Sequence, residues 1–396
     1  MLEIANTYMM CDNNEMAMTY YNNFVKQYPQ SVYVKTALLN QGLIYYNTER
    51  DEQALKTFDR LLTQYPGTDE ARDALSTVKN IYIAQNRVEE YFAYVKRTTK
   101  VTISTVEQDS TTFLAVEGRY QEGDYANASV GMDNYLAKFP DGLFSLKAHY
   151  IAADSYFRLG QNDKALPHYI AVTNAGTNKY SEESLYNAAN IAYGLGNYGQ
   201  AATLYQRLTE NAESDNSLLQ GKVGALRCAV ALKRHNDIMV AGHRLLAEEK
   251  ATPELKEEAW LAMARSSFDN QQRDTAYACY GELASSVNGE YNGEARCRQA
   301  EILMLVGQHD KAERLIEQIV ADASSDYWLA YSFILWADVY YARGNNLQAK
   351  QTLQSIIDNY DGDDLVAVAR QKLAAIVAAE QPEQQAGEEE EMTIEL

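Results

Sequence analysis

The feature that most constrains this 396-residue chain is an internal repeat of about 37 residues. The recurring pattern is a small residue, an aromatic residue three positions later, a polar turn and a second small residue, and it is clearest in Ala153, Tyr156 and Ala165. The second small position recurs with spacings of 37, 37, 37, 37, 36, 39, 36, 36 and 37, at Ala17, Ala54, Tyr91, Ala128, Ala165, Ala201, Val240, Ala276, Ala312 and Ala349. Ten copies in register predict a repeat architecture rather than a single compact core.

Each copy has the pattern of two amphipathic helices, because apolar residues recur three and four positions apart on both sides of a turn containing Gly, Asn or Asp. We therefore predict an all-α solenoid of about ten helix pairs that is stabilised by contacts between neighbouring repeats. Residues 362–380 repeat the helical pattern once more without a second helix. This segment is predicted to be a C-terminal capping helix.

Two segments interrupt the pattern. Residues 98–111, TTKVTISTVEQDST, are rich in β-branched and hydroxyl side chains, which disfavour helix. They predict a linker between a block of three repeats, 1–97, and a block of seven repeats plus the cap, 112–380. The stretch from Glu380 onward carries seven acidic residues and no basic residue, so residues 381–396 are predicted to be a disordered acidic tail. Counting back from Ala17, Met1 falls inside a first helix, and we expect a truncated first repeat.

The paired small positions resemble the tetratricopeptide repeat (TPR) family over about residues 1–357. Three copies also end with the aromatic-proline step of that family, at Tyr28-Pro29, Tyr65-Pro66 and Phe139-Pro140. The resemblance implies a right-handed superhelix whose first helices line a concave groove for a peptide or protein partner. Lys79, Tyr91 and Val240 depart from the small-residue pattern, so we expect splayed or shifted helix pairs there.

The TPR register assigns candidate partner-binding residues to the groove. The position after the aromatic residue is apolar or aromatic in every copy, and a neighbouring position is mostly polar. The candidates are Tyr150, Tyr186, Tyr120, Phe157, Tyr193, Asn190, Arg265, Phe268, Asp338 and Tyr341. The alternative interpretation is that the aromatic row packs between neighbouring first helices. Asn190 also matches one position of the chaperone-type carboxylate clamp, but Tyr186 and Leu226 replace its basic residues, and no clamp is expected.

Residues 206–276 contain none of the 30 tyrosines. The seventh copy, which lies in this stretch, is instead rich in basic residues, namely Lys222, Arg227, Lys233, Arg234, Arg244 and Lys250. Such residues are commonly solvated helix faces. In a chain with a formal net charge of −20 they are alternatively a contact for an acidic partner.

Composition excludes several function classes. The 55 acidic residues outnumber the 35 basic ones, which argues against nucleic-acid binding. No apolar run of about 18 residues occurs, so no direct membrane insertion of this segment is expected. The four cysteines and five histidines have no metal-ligand spacing, and nucleotide-binding and nucleophile motifs do not occur. We therefore predict a protein that is not an enzyme and has no cofactor and no metal.

The segments VEEYFAYVKR and YWLAYSFILWADVYYARGNNLQAKQTLQSI resemble envelope TPR proteins of the Bacteroidetes, related to the Tol-Pal coordinator and to outer-membrane assembly TPR lipoproteins. This resemblance implies a non-catalytic protein-protein interaction scaffold in the periplasm or at the outer membrane. A cytoplasmic location is the alternative. Recognition of a small ligand or glycan along a tyrosine-lined groove is the alternative function.

Overall fold

The computed structural model describes residues 1–99, 102–323 and 325–394, without the side chains of residues 381–394. These residues form α-helices and no strand. The helices are α1 (Leu2–Met10), α2 (Asn14–Gln27), α3 (Val34–Asn47), α4 (Asp51–Gln64), α5 (Asp69–Ala84), α6 (Val88–Thr99), α7 (Thr105–Gln121), α8 (Tyr125–Lys138), α9 (Ser145–Arg158), α10 (Asn162–Asn174), α11 (Ser181–Gly194), α12 (Tyr198–Asn211), α13 (Asp215–Ala231), α14 (His235–Leu246), α15 (Pro253–Asp269), α16 (Arg273–Leu283), α17 (Gly289–Leu305), α18 (His309–Asp322), α19 (Asp326–Ala342), α20 (Asn346–Asn359) and α21 (Asp363–Ile394).

The described helices follow one another as the first and second helices of ten repeats, from α1 and α2 to α19 and α20. Within each unit the two helices of a repeat pack together, as α9 does with α10 and α15 with α16, and α21 packs against α20. The predicted all-α repeat fold with a terminal helix is therefore confirmed. Helix contacts divide the chain into two compact units, Met1–Ile191 and Ala192–Leu396. In each unit the apolar core lies between the paired helices and between adjacent repeats.

All ten turns inside the helix pairs have the same backbone geometry. The residue before the second helix's N-cap has a φ of 53° to 80°, and the N-cap amide donates to the carbonyl five residues earlier. These left-handed residues are Asp12, Glu49, Asn86, Gly123, Gly160, Gly196, Lys233, Gln271, Gly307 and Gly344. Because the turn is constant, it gives a structural alignment of the repeats that does not depend on side-chain identity.

The left-handed turn residue provides a test of local strain. Glycine adopts this conformation without the steric cost that a Cβ imposes. We expect Glu49→Gly, at φ 57°, to stabilise its unit by about 0.5–1 kcal/mol, and Gly160→Ala, at φ 71°, to destabilise it by a similar amount. Urea unfolding followed by circular dichroism measures both changes. A loss of stability in Glu49→Gly would contradict this account of the turn.

Small residues at the two conserved positions allow each helix pair to approach closely. Ala153 and Ala165 are fully buried against each other's helix, and most of their counterparts are equally inaccessible. In the second repeat Gly42 takes the first position, where a Cβ would lie 2.2 Å from a ring carbon of Phe58. The close approach of α3 and α4 therefore requires glycine at this position.

The seventh repeat departs from the sequence alignment. The amide of Ile238 donates to the Arg234 carbonyl, as the amide of Ala201 does to Asn197. Ile238 is therefore the structural counterpart of the conserved alanine, and the prediction that Val240 holds this position was wrong. Ile238 is 4% exposed, whereas Val240 is 51% exposed. When the repeats are aligned on this turn, Leu226 occupies the position of the first small residue. Ala229 occupies the position of the aromatic residue.

The predicted linker, 98–111, is largely helical, and that prediction was wrong for residues 105–111. Helix α6 ends at Thr99 and α7 begins at Thr105, where the Ser104 side chain accepts a hydrogen bond from the Glu107 amide. Helix α7 packs against both α5 and α6. The segment therefore joins repeats within the first unit, and the division between the two units lies at Ile191 instead.

The last helix extends through most of the segment predicted to be an acidic tail. Its assigned range, Asp363–Ile394, includes the predicted capping helix. Side chains of residues 381–394 and all of residues 395–396 lie outside the described part of the structure. The disorder of residues 381–396 stays a prediction.

Candidate partner-binding surface

Three first helices of the first unit, α7, α9 and α11, carry five of the ten candidate residues. Tyr120 lies on α7, Tyr150 and Phe157 lie on α9, and Tyr186 and Asn190 lie on α11. Residues three, four and seven apart share one side of a helix. Together with Asp154 of α9, these side chains define what we call the unit-1 first-helix face.

Hydrogen bonds between neighbouring first helices connect this face. The Tyr120 hydroxyl donates to the Asp154 carboxylate at 2.7 Å, and the Arg158 guanidinium donates to the same carboxylate at 2.6 Å. The Tyr150 hydroxyl donates to Glu183 of α11 at 2.7 Å. Burial, together with these carboxylates, raises the pKa of both tyrosines. The polar row therefore holds adjacent repeats together, and Asp154, being buried, presents little surface to a ligand.

Two aromatic rings of the face remain accessible. Phe157 is 41% exposed, although its ring also meets Tyr169 edge to face at 6.4 Å. Tyr186 is 37% exposed on the neighbouring first helix. Tyr150 is half-buried, with its ring stacked on Tyr180 at 4.2 Å. Phe157 and Tyr186 are thus the rings of this face that offer most contact area to a partner.

The second unit contains the other five candidates, with Tyr193 near the end of α11 and the other four on α15 and α19. Arg265 of α15 donates two hydrogen bonds, of 2.7 Å and 2.5 Å, to buried Glu294 of α17. Half-buried Phe268 lies beneath the Arg298 guanidinium at 5.2 Å. These contacts join successive repeats, as in the first unit. Arg265 and Phe268 are consequently engaged within the unit.

The remaining candidates of the second unit differ in accessibility. Asp338 of α19 accepts two hydrogen bonds from Lys372 of α21, at 2.8 Å and 3.0 Å, and burial raises the pKa of this carboxyl despite the nearby ammonium. Tyr193 is half-buried and packs edge to face with Tyr198 at 5.2 Å. Tyr341 is exposed at the end of α19. Of these three, Tyr341 offers the most surface to a partner.

Sequence spacing did not reveal a histidine pair in the first unit. His149 of α9 and His168 of α10 are 19 residues apart, and their Nδ1 atoms lie 2.9 Å from each other. His168 Nε2 lies 3.0 Å from Asp133 of α8, which also accepts a 2.5 Å hydrogen bond from Tyr156. Burial lowers the pKa of both histidines, and the charge of His168 lowers that of His149 further, while Asp133 opposes both shifts.

This histidine pair predicts a pH-dependent stability. Because the folded-state pKa values lie below the ordinary value of 6.5, the unfolded chain binds protons first as pH falls, and stability decreases below about pH 6.5. We expect wild-type protein to lose more stability between pH 7.5 and pH 5.5 than the variant His149→Gln/His168→Gln. Urea unfolding at both pH values measures the difference. Equal losses would contradict the prediction.

Within the described residues, no group of three or more His, Cys, Asp or Glu side chains is arranged to hold a metal ion. The same part of the chain contains no helix that is both long enough and apolar enough to cross a membrane.

Family comparisons identify the repeats. A tetratricopeptide repeat model matches residues 1–31, 36–68 and 327–363, and a second tetratricopeptide repeat model matches residues 150–216. No match to the chain was found among curated proteins.

Several solved structures are similar to parts or most of the chain. A tetratricopeptide repeat protein from Parabacteroides merdae is 15% identical, with 68% of this chain and 98% of that one covered and a TM-score of 0.33. The P58(IPK) TPR domain is 13% identical, with 96% and 98% covered and a TM-score of 0.27. The Thermus thermophilus TPR protein TTC0263 is 21% identical, with 50% and 99% covered and a TM-score of 0.29.

The matched repeats lie in both units, and the ten constant turns extend the same helix-pair geometry to the copies that no model matches. The chain therefore contains tetratricopeptide repeats and has the all-α fold of a TPR solenoid.

Proposed function

We propose that this protein is a non-catalytic interaction scaffold of the bacterial cell envelope that binds a peptide segment of a protein partner. TPR repeats suggest a protein-protein interaction scaffold. The observation that carries the specific proposal is the pair of exposed rings, Phe157 and Tyr186, on adjacent first helices of a surface whose polar groups are otherwise paired. We assign the partner's contact to the unit-1 first-helix face.

Aromatic side chains on a rigid support are efficient binding anchors. Each ring buries a large area and loses few rotamers when a partner covers it. The hydrogen bonds of Tyr120 and Tyr150 to neighbouring helices already fix the face, so little ordering would oppose binding. A peptide with apolar side chains spaced to cover Phe157 and Tyr186 fits this arrangement.

The same contacts favour a peptide over a glycan. A sugar site uses hydroxyl and carboxylate groups that remain available to the ligand. Here the Tyr120 and Tyr150 hydroxyls donate to Asp154 and Glu183, so two of the predicted tyrosines present little hydrogen-bonding capacity. If oligosaccharides competed with the partner for binding, that result would support the glycan alternative.

We further propose a periplasmic or outer-membrane location and no catalytic activity. The location is supported by the sequence resemblance to envelope TPR proteins. The excess of 55 acidic over 35 basic residues supports a partner other than nucleic acid. Fractionation of cells producing the full-length gene product tests the location, and recovery in the cytosol alone would contradict it.

Site-directed photocrosslinking tests the assigned surface. The photoreactive amino acid p-benzoylphenylalanine is placed at position 157 or 186, and at Tyr33 as a control. Tyr33 is 58% exposed but belongs to the turn before α3. We expect irradiation to link the same partner at positions 157 and 186 and not at position 33.

Alanine variants supply the complementary test. Capture of the partner identified by crosslinking should fall at least about tenfold with Phe157→Ala/Tyr186→Ala, because both anchors are lost. The matched variant Tyr33→Ala/Tyr277→Ala removes two exposed rings elsewhere and should capture the partner normally. Equal capture by all variants, or equal crosslinking at position 33, would overturn the assignment.

A further inference from the structure

The seventh repeat contains an open groove within the second unit. A cavity of about 720 Å³ lies between α12 and α14, with α13 contributing its base. We call it the repeat-7 groove and define it by Ala202, Thr203, Lys222, Ala229, Arg234 and Arg244. It includes none of the ten candidate residues, and it lies between two second helices above one first helix of the second unit.

The groove lies where several other repeats have a tyrosine ring. In the second and third repeats the N-cap arginine of the second helix lies over the conserved tyrosine, with Arg50 5.1 Å from the Tyr45 ring and Arg87 5.4 Å from the Tyr82 ring. The constant turn places Arg234 and Ala229 at the same two positions of the seventh repeat. Arg234 is therefore retained while the ring beneath it is missing.

Helix α12, the second helix of the preceding repeat, does not fill the space left by the absent ring at Ala229. The eighth repeat also lacks a ring, because Ser267 occupies its position, but Met239 of α14 reaches it, with Sδ 3.6 Å from the Ser267 hydroxyl. Met239 is the fifth residue after its helix's N-cap. The fifth residue after the N-cap of α12 is Ala202, which is too short to fill the space above Ala229.

The cationic side chains at the groove are only partly neutralised. Arg244 has no ion-pair or hydrogen-bond partner among the described residues, and exposed Arg234 lies 3.8 Å from exposed Asp237. Lys222 is paired with Glu248 at 2.6 Å. Glu210 and Asp237 are the acidic residues of the lining. In a chain with a net charge of −20, an unpaired arginine beside the open space above Ala229 favours an acidic ligand.

We infer that the repeat-7 groove binds a peptide segment of a protein partner, which inserts one aromatic side chain above Ala229 and places flanking acidic residues against Arg244. The inserted ring takes the position that Tyr45 and Tyr82 hold in their own repeats. It stacks beneath Arg234, whose guanidinium favours a ring face. The carboxylates pair with the free guanidinium of Arg244. This site is separate from the unit-1 first-helix face and does not depend on the function proposed for it.

Peptide binding to the full chain tests the inference. The probe is a fluorescein-labelled pool of nine-residue peptides with a central Tyr, Phe or Trp flanked by Asp and Glu. One control pool has a central Ser, and the other has Lys in place of the acidic residues. We expect fluorescence anisotropy to show at least about tenfold tighter binding of the acidic aromatic pool than of either control pool. No binding, or equal binding of the three pools, would overturn the inference.

Variants locate the binding. Arg244→Glu should weaken binding of the acidic aromatic pool at least about tenfold, whereas Arg273→Glu makes the same charge change at an exposed site outside the groove and should have no effect. Ala202→Met, which copies the arrangement of the eighth repeat, and Ala229→Tyr should each close the groove and reduce binding similarly. Circular dichroism verifies folding of each variant. Wild-type affinity in folded Arg244→Glu and Ala202→Met would place the peptide elsewhere.

Discussion

The variant Ile238→Ala is expected to lower the free energy of unfolding by about 2–5 kcal/mol, the range for removing a buried Ile, Leu or Met side chain. Ile238 is 4% exposed and belongs to the core of the second unit with Val223 and Leu245. Its side chain fills the space where other repeats have an alanine between close helices. Truncation therefore removes a side chain from this core and leaves a cavity.

Val240→Ala is the matched control for this prediction. Val240 lies on the same helix, but it is 51% exposed, so the substitution should change stability by less than about 0.5 kcal/mol. Urea unfolding of the full chain, followed by circular dichroism, measures both variants. A large loss of stability in Val240→Ala together with a small loss in Ile238→Ala would support the sequence alignment of this repeat and contradict the structural alignment.

The repeat fold was predictable because its signals are local and recur in every copy. Alanine spacing and polar turns predicted two helices per copy at nearly constant intervals, and the described part of the structure has this order of helices in ten successive copies. The constant turn accepts Asp12, Gln271 or Gly344 at its left-handed position. Turn composition therefore varied while turn spacing did not, and spacing was the stronger evidence.

The seventh repeat was misaligned because residue size served as the guide. Cys228 and Val240 resemble the two small positions in sequence. In the structure large residues, Leu226 and Ile238, occupy those positions, and Ala229 occupies the aromatic one. These residues keep the buried positions apolar, but they remove the pattern of residue sizes on which the sequence alignment relies.

The sequence predicted which positions lie on the candidate surface. It did not predict which of their side chains are free to bind a partner. The register placed Tyr120, Tyr150 and Arg265 on first helices, as the structure has them. It did not show that each pairs with a carboxylate 29 to 34 residues away in the next repeat. Such pairing depends on whether a side chain is long enough to contact the neighbouring helix. The spacing of residues within one repeat carries no information about that contact.

The segment 98–111 shows tertiary contacts overriding local propensity. Its β-branched residues disfavour helix, but Asp109 and Thr111 are buried in α7. Asp109 accepts hydrogen bonds from the Tyr135 hydroxyl and from the Leu143 amide, the latter at 2.8 Å. The buried carboxylate thus joins α7 to α8 and to the turn before α9. A propensity argument treats Asp109 as a turn residue and misses both partners.

The variant Asp109→Ala is accordingly expected to destabilise the first unit by about 1–3 kcal/mol, the cost of one buried unsatisfied group. It leaves the buried Tyr135 hydroxyl without its acceptor and removes the acceptor of the Leu143 amide, which belongs to an exposed residue. Urea unfolding of the full chain measures the loss. Val106→Ala, at an exposed position in the first turn of α7, is the control and should be nearly neutral.

A second substitution distinguishes lost hydrogen bonds from lost helix. Tyr135→Phe keeps the buried ring against Phe113 and Phe139 but removes the hydroxyl, so Asp109 loses one donor and retains the Leu143 amide. We expect it to cost less than Asp109→Ala, and the two effects should be less than additive in the double variant because they remove the same bond. Fully additive losses of stability in the double variant, or no loss of stability in Asp109→Ala, would contradict this account. Either result would support the linker that the composition of residues 98–111 predicts.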